Sequence, residues 1–408
     1  MPVASLSAIV VLAAVGRATV GASVEASAGL APMTPSEPAE PALIALLAPF
    51  VEGELASRRN TLTLRYTPSL RLRVPSVADT LRPLLLHHAT VGEAYRLTPR
   101  TTLRGSAVAD YGAVDYTDVR EVVGGDESTN IRDARLDFVS VSSSAGVTRL
   151  FSRRWQTDLG IEGHYREPVS ASARAQMATS YGGAISLAPR LLLSQIDTLE
   201  LPASFSHEEY DSSGGTSSEG TLVGGDGVYD TVSVAAAWAR LLASQTRANL
   251  SVGAVVSHRQ DQGTSSSPIA TSGIAGPLGT VQTWRLSGTT AVSWTAQLDP
   301  ITARFRPAIG VSASLRAVGA PWTLDANVAG YTAATRTPLA TEQPESSVSS
   351  TLQASRAYHR ASLSFGVRGS LRASHLAAPT ITASDPQLLG FVGVEFAQPM
   401  LWGLRPGR

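Results

Sequence analysis

Arginine and small hydroxyl side chains recur at every second position in long stretches of this 408-residue chain. Between residues 301 and 316 the even positions include Arg304, Arg306, Ser312 and Ser314, whereas the odd positions are apolar or small. A guanidinium group is permanently charged and planar, and it binds carboxylate or phosphate groups in bidentate fashion. Arginines that share one face of a wall therefore favour the binding or passage of anions.

The same alternation predicts a larger set of wall residues that point away from the apolar face. The candidates are Arg65, Arg71, Arg73, Arg104, Arg166, Arg190, Arg247, Arg285, Arg304, Arg306, Arg360, Arg368 and Arg372, with the carboxylates Asp158, Glu162, Glu200 and Asp325. One interpretation is a positive interior that selects anions. The other is that arginines and carboxylates pair across neighbouring strands and stiffen the wall. The sequence leaves both open.

Catalytic chemistry has little support in the pattern. The seven histidines are scattered, and no nucleophile elbow is present. His164 shares a strand face with Asp158 and Glu162. We interpret the three as a structural polar cluster in preference to a catalytic group. Acidic residues concentrate in polar loops without the spacing of a calcium site. We expect no enzyme activity, no metal and no cofactor.

An alternation with a period of two indicates β-strands. Strands in soluble proteins average about 5 to 6 residues, whereas a tilted strand needs roughly 10 to cross a bilayer. About 15 such segments lie between residues 60 and 397. Because single-chain bacterial barrels normally have an even strand number, the sequence predicts an all-β fold: a single transmembrane antiparallel up-and-down β-barrel of about 14 to 16 strands.

The connections between the predicted strands alternate in length. Short turns lie at 98–100, 152–154, 243–245 and 299–300, and long polar loops lie at 117–134, 211–227 and 261–280. Transmembrane barrels place short turns in the periplasm and long loops outside the cell. The alternation therefore predicts the orientation of the barrel.

The chain ends are predicted to lie outside the barrel. Residues 1–28 contain an apolar core followed by Ala26-Ser27-Ala28, a pattern typical of a cleaved secretory signal. Residues 29–59 are interpreted as a periplasmic linker or short helical segment, residues 60–397 as the barrel, and residues 398–408 as a periplasmic tail.

Composition excludes several classes of function. The formal net charge is zero, so there is no basic footprint for nucleic acid. The chain has no cysteine, which rules out disulfides, thiolate metal sites and a lipid anchor on a processed cysteine. All of its basic side chains other than histidine are arginine.

Through this periodicity and loop asymmetry, residues 60–397 resemble the porin-like outer-membrane β-barrel proteins of Gram-negative bacteria. The resemblance is to a class and not to one family. It implies a location in the outer membrane, contact with outer-membrane lipid and lipopolysaccharide, and insertion by the barrel assembly machinery.

The leading function that this resemblance implies is an aqueous pore for polar solutes, anionic ones included. One alternative is a secretion pore that resembles the barrel component of a polysaccharide export system and works with periplasmic export proteins. Another is a structural or adhesive barrel with a closed lumen.

Overall fold

The alternating segments form one antiparallel sheet that closes on itself. The computed structural model describes residues 15–31, 40–74, 83–115, 135–174, 179–211, 227–242, 245–260, 263–298, 305–333, 345–375 and 382–403. Each strand pairs with its neighbours in chain order, as expected for an up-and-down barrel. The prediction of an all-β barrel is confirmed.

The strands span most of the described chain. They are β1 (Val15–Ala31), β2 (Glu40–Ala56), β3 (Asn60–Val74), β4 (Leu84–Thr98), β5 (Thr101–Asp115), β6 (Arg135–Leu150), β7 (Trp155–Pro168), β8 (Thr179–Leu192), β9 (Asp197–Glu200), β10 (Ala203–Asp211), β11 (Gly227–Leu241), β12 (Arg247–Arg259), β13 (Gly263–Val281), β14 (Trp284–Leu298), β15 (Phe305–Gly319), β16 (Trp322–Ala333), β17 (Glu345–Ala357), β18 (Ala361–His375) and β19 (Thr382–Gly403). A single helical turn, α1 (Ala171–Arg174), lies between β7 and β8. No helix in these ranges is long and apolar enough to cross a membrane.

Strands β9 and β10 are two parts of one wall strand. Glu200 pairs with Arg190, and Ala203 pairs with Leu187, so the register against β8 is the same on both sides of the break. The break falls at Leu201 and Pro202, where proline has no N–H to donate to the ladder. The barrel therefore has 18 wall strands, more than the expected 14 to 16.

The first strand closes the ring by pairing with the last. β1 pairs with β19 from Val15 opposite Gly403 to Leu30 opposite Leu388, and on its other edge it pairs with β2. Closure leaves no strand edge exposed to lipid, which a membrane-spanning sheet requires.

The two faces of the wall differ in chemistry. Large apolar side chains such as Val24, Leu159, Val252 and Leu352 are exposed on the outer face. Between them, the alternate positions carry Ser, Thr, Gly and charged side chains toward the lumen, as Ser251 does beside Val252. An apolar outer face around a polar interior is the pattern of a barrel in a bilayer.

Three strands lie in segments that the sequence analysis assigned to other features, and the predicted signal peptide stays a prediction. β1 lies in the segment interpreted as a signal peptide, β2 in the one interpreted as a linker or short helix, and β13 in the supposed 261–280 loop. Because β13 was not predicted, every later strand was assigned the opposite direction. Leu298, the last residue of β14, lies at the end of the barrel where β5 ends and β6 begins, which we call the long-loop end. The 299–300 turn lies outside the described residues. Strand β19 continues to Gly403, into the expected tail. The 117–134 loop lies outside the described residues.

Neighbouring positions on β12 test the assignment of the two faces. Val252 faces outward near the middle of its strand, and Ser251 faces the lumen. An arginine on the lipid face near the bilayer midplane costs about 2 to 4 kcal/mol. We expect Val252→Arg to lower the urea midpoint of the refolded barrel clearly and Ser251→Arg to change it little. Equal effects of the two substitutions would contradict the lipid-facing assignment.

The N-terminus of the mature protein tests the role of β1. Cleavage after Ala28 would remove nearly all of β1, which pairs with both β2 and β19. The predicted cleavage and a wall that includes β1 therefore differ in the mature N-terminus that they predict. We expect the intact mass of the membrane-inserted protein to include residues 15–31. A mature chain that begins at Gly29 would show that β1 is not part of the wall.

Candidate functional site: the barrel lumen

The structure places most of the predicted wall residues on the lumen face. Strand parity and register put these arginines and carboxylates inside: Arg65, Arg71, Arg73, Arg104, Arg166, Arg190, Arg247, Arg285, Arg368, Asp158, Glu162, Glu200 and Asp325. Arg304 lies outside the described residues, and only the backbone of Arg306 and Arg372 is described. Arg360 lies in the turn before β18 and is exposed. Whether these residues line an open pore stays a prediction.

Several lumen arginines pair with carboxylates from neighbouring strands. The N···O distances are 2.8 Å for Arg190 and Glu200, 2.9 Å for Arg368 and Glu25, and 3.6 Å for both Arg65 with Glu52 and Arg316 with Asp325. Glu25 and Glu52 lie on β1 and β2, which the sequence interpretation left outside the barrel. The lumen is therefore less positive than the predicted set implied, because Glu25 and Glu52 were not counted.

Other lumen arginines have no such partner. Within the described ranges, Arg104, Arg247 and Arg285 face the lumen and form no ion pair. Arg247 and Arg285 lie near the short-turn end of the wall, at the start of β12 and β14. These three guanidinium groups are available to a solute.

His164 pairs with a residue that the sequence grouping did not include. Its Nε2 lies 2.8 Å from Oε2 of Glu208, which is two strands away in the wall. Gly182 lies between them, and a Cβ there would come within 2.5 Å of that carboxylate oxygen. Asp158 instead accepts hydrogen bonds from Thr148 and Gln156. His164, Asp158 and Glu162 therefore share a face but do not form one hydrogen-bonded group. Glu208 could have been placed in the lumen from the sequence, because it lies at the same alternate positions of its strand as Ser204 and Ser206.

A second histidine lies nearby on the lumen wall. Nδ1 of His88 is 2.6 Å from Oδ1 of Asp110, and the hydroxyl of Ser140 donates to Oδ2 of the same carboxylate at 3.3 Å. A recess of about 410 Å³ is lined by this cluster together with His164 and Arg166. His88 and Ser140 therefore both hydrogen-bond the Asp110 carboxylate on the lumen wall. In the described part of the chain, no three His, Asp or Glu side chains converge as metal ligands.

Small hydroxyl residues line a broader recess beside this cluster. It has a volume of about 990 Å³ and extends along the lumen face from β3 to β10. Ser106 and Ser144 share a hydrogen bond of 2.7 Å, as do Ser204 and Ser233 on the continuation of the wall. Arg104, Glu162 and Glu208 are among its charged residues. This part of the lumen is wide because its wall side chains are short.

An apolar patch interrupts the polar lumen on β19, β1 and β2. Ile44, Phe50, Leu389 and Phe391 face inward and are buried. The guanidinium of Arg368 lies 4.5 Å from the centre of the Phe391 ring, and that of Arg65 lies 4.9 Å from the Phe50 ring. These contacts combine ring stacking with the ion pairs to Glu25 and Glu52. They fix the orientation of both arginines.

Lumen exposure differs between the two ends of the barrel. Near the long-loop end, Phe138, Tyr229, Ser257 and Arg259 face inward and are almost fully buried, with exposed fractions of 1%, 0%, 2% and 4%. Near the short-turn end, Arg104 and the other two unpaired arginines are exposed. The lumen is thus more accessible at the short-turn end.

A closed ring of strands with an apolar outer wall and a polar lumen defines the class of protein, an outer-membrane β-barrel. This is the class that the resemblance indicated, and the localisation in the outer membrane follows from the lipid-facing wall.

Solved structures of other proteins are similar to this chain. The chain is similar to the copper transporter OprC, with a TM-score of 0.52 and 9% identity over 95% of this chain and 81% of that one. It is also similar to the FrpB iron transporter from Neisseria meningitidis (F3-3 variant), with a TM-score of 0.49 and 8% identity over 93% and 81% of the two chains. At this identity the likeness to OprC shows the fold alone. No protein-family model and no curated protein sequence matches the chain.

A matched pair of glycines tests the packing of the apolar patch. A Cβ on Gly21 would clash with the backbone carbonyl of Phe396 and with the Phe50 ring, whereas a Cβ on Gly53 meets nothing within 4 Å. Overpacking typically costs about 1 to 3 kcal/mol, so we expect Gly21→Ala to lower the free energy of unfolding by that amount and Gly53→Ala to leave it nearly unchanged. Equal stability of both variants would mean that neither the Phe50 ring nor the Phe396 carbonyl lies against Gly21.

Proposed function

We propose that this protein is an outer-membrane pore for small polar solutes with a preference for anions. The observation that carries the proposal is the wide recess of hydroxyl and small side chains on the lumen wall. Barrels of 16 to 18 strands leave an aqueous channel, whereas those of eight strands are filled by side chains. The likeness to a transporter supports a transport role at the level of the fold.

The preference for anions is supported by the unpaired arginines. Paired arginines contribute little net field because a carboxylate lies within 4 Å of each. Arg104, Arg247 and Arg285 have no such neighbour among the described residues. Charged groups that line a pore set its ion selectivity. These three arginines add positive charge to the lumen, and Asp158 and Glu162, which form no ion pair with an arginine in the described ranges, offset part of it.

A barrel with a closed lumen is the second candidate. It is favoured by the burial of inward-facing Phe138 and Tyr229 at the long-loop end. In that case the functional part would be the outer surface and its loops. Polysaccharide export is a third possibility, which pore diameter would separate from the passage of small solutes.

Ion selectivity in a planar bilayer tests the leading proposal. We expect the purified protein to conduct and to favour anions under a salt gradient, because the unpaired arginines set the field. Arg104→Gln with Arg285→Gln should lower the anion-to-cation permeability ratio severalfold.

The control removes one charge outside the lumen. Arg240 lies on the outer wall beside Asp197, so Arg240→Gln should leave the permeability ratio unchanged. Absence of any conductance from the folded protein would favour the closed barrel, and cation preference would contradict the anion proposal.

A further inference from the structure

Arginines cluster in the short turns along one side of the barrel rim. Three turns contain exposed arginines, namely Arg58 and Arg59 between β2 and β3, Arg100 between β4 and β5, and Arg153 and Arg154 between β6 and β7, and the turn between β17 and β18 adds Arg360. These turns contain no acidic residue. We call the six arginines the basic arc.

The opposite side of the same rim carries no charge in its turns. The connections at 193–196, 242–246, 282–283 and 320–321 contain no Asp, Glu, Lys, Arg or His. Leu193, Ile196 and Leu242 are exposed there. The charge therefore belongs to one side of the barrel and is not a general property of its turns.

Two further arginines indicate how deep in the membrane the basic arc lies. Arg149 on the outer wall of β6 lies 5.2 Å from the centre of the Phe151 ring. Arg356 on the outer wall of β17 lies 5.4 Å from the Trp322 ring and 5.0 Å from the Tyr358 ring. Aromatic side chains at the end of a lipid-facing wall lie at the headgroup level of the bilayer. The stacked guanidinium groups are held at that level.

The arginines of the basic arc are not neutralised within the protein. In the described ranges, none of the six forms an ion pair, and neither do Arg149 and Arg356. An exposed guanidinium presents several N–H donors in a planar fork that matches a phosphate group.

We propose that the basic arc binds the phosphate groups of anionic glycerophospholipids in the leaflet at the short-turn end. A lipid is favoured over an acidic protein because Arg149 and Arg356 lie on the lipid-facing wall at headgroup depth, where a protein partner outside the membrane does not reach. The uncharged turns opposite contact lipid without selecting its headgroup. The protein therefore gathers anionic lipid on one side only.

Lipid selectivity of the reconstituted protein tests this inference. The probe is spin-labelled phosphatidylglycerol, compared with spin-labelled phosphatidylcholine, in vesicles of phosphatidylcholine around the folded barrel. We expect the unmodified protein to prefer phosphatidylglycerol severalfold, and the preference to fall at high salt because exposed charges are screened.

Two double variants provide a matched comparison. Arg153→Gln with Arg154→Gln removes two charges from the basic arc, and should reduce the preference for phosphatidylglycerol. Arg247→Gln with Arg285→Gln removes two charges from the lumen near the same end and should keep it. Both variants should remain heat-modifiable on gels, which shows that the barrel is folded.

Either of two results overturns the proposal. The unmodified protein could show no preference for phosphatidylglycerol, in which case an acidic periplasmic protein becomes the better partner for the basic arc. Alternatively, the lumen pair could reduce the preference as much as the turn pair does, which would assign the effect to overall charge.

Discussion

The need to satisfy every backbone hydrogen bond within lipid determines the rest of this structure. An open sheet edge in the hydrocarbon region leaves N–H and C=O groups without partners, each at a cost of several kcal/mol. The wall meets this requirement by pairing β1 with β19. Once the ring is closed, the period of two divides the side chains of every strand between lipid and lumen. The charged groups can then lie only in the lumen, near the rims or outside the membrane.

The sequence was sufficient for the wall strands that contrast in their two faces. β12 and β14 place apolar residues opposite arginine, serine and threonine, and both were predicted. The three missed strands lack that contrast or resemble something else. β2 is apolar on both faces, because Ile44 and Phe50 pack in the lumen patch. β13 has serine and threonine on both faces, and β1 alternates small residues in a way that resembles a signal peptide.

The candidate site was predictable in its faces but not in its contacts. The alternation of side chains along each strand was enough to assign Arg65, Arg190 and Arg368 to the lumen. Their partners depend on which strands are neighbours, and Glu25 is close to Arg368 only because the ring closes through β19. The pairing of His164 with Glu208 depends in addition on a glycine in the strand between them. Such contacts between residues far apart in the chain cannot be deduced from the spacing within one strand.

Pairing of the first strand with the last also has a consequence for how the chain reaches its folded state. Every other strand pairs with neighbours that are close in sequence, whereas β1 must find a partner that ends at Gly403. A contact of such large sequence separation forms slowly, because the ends of a long chain must be brought together at an entropic cost. Until that step is complete, the intermediate has two free edges, both of which can pair with another chain. The vulnerable interval for aggregation is thus the time between the formation of the hairpins and the closure of the ring.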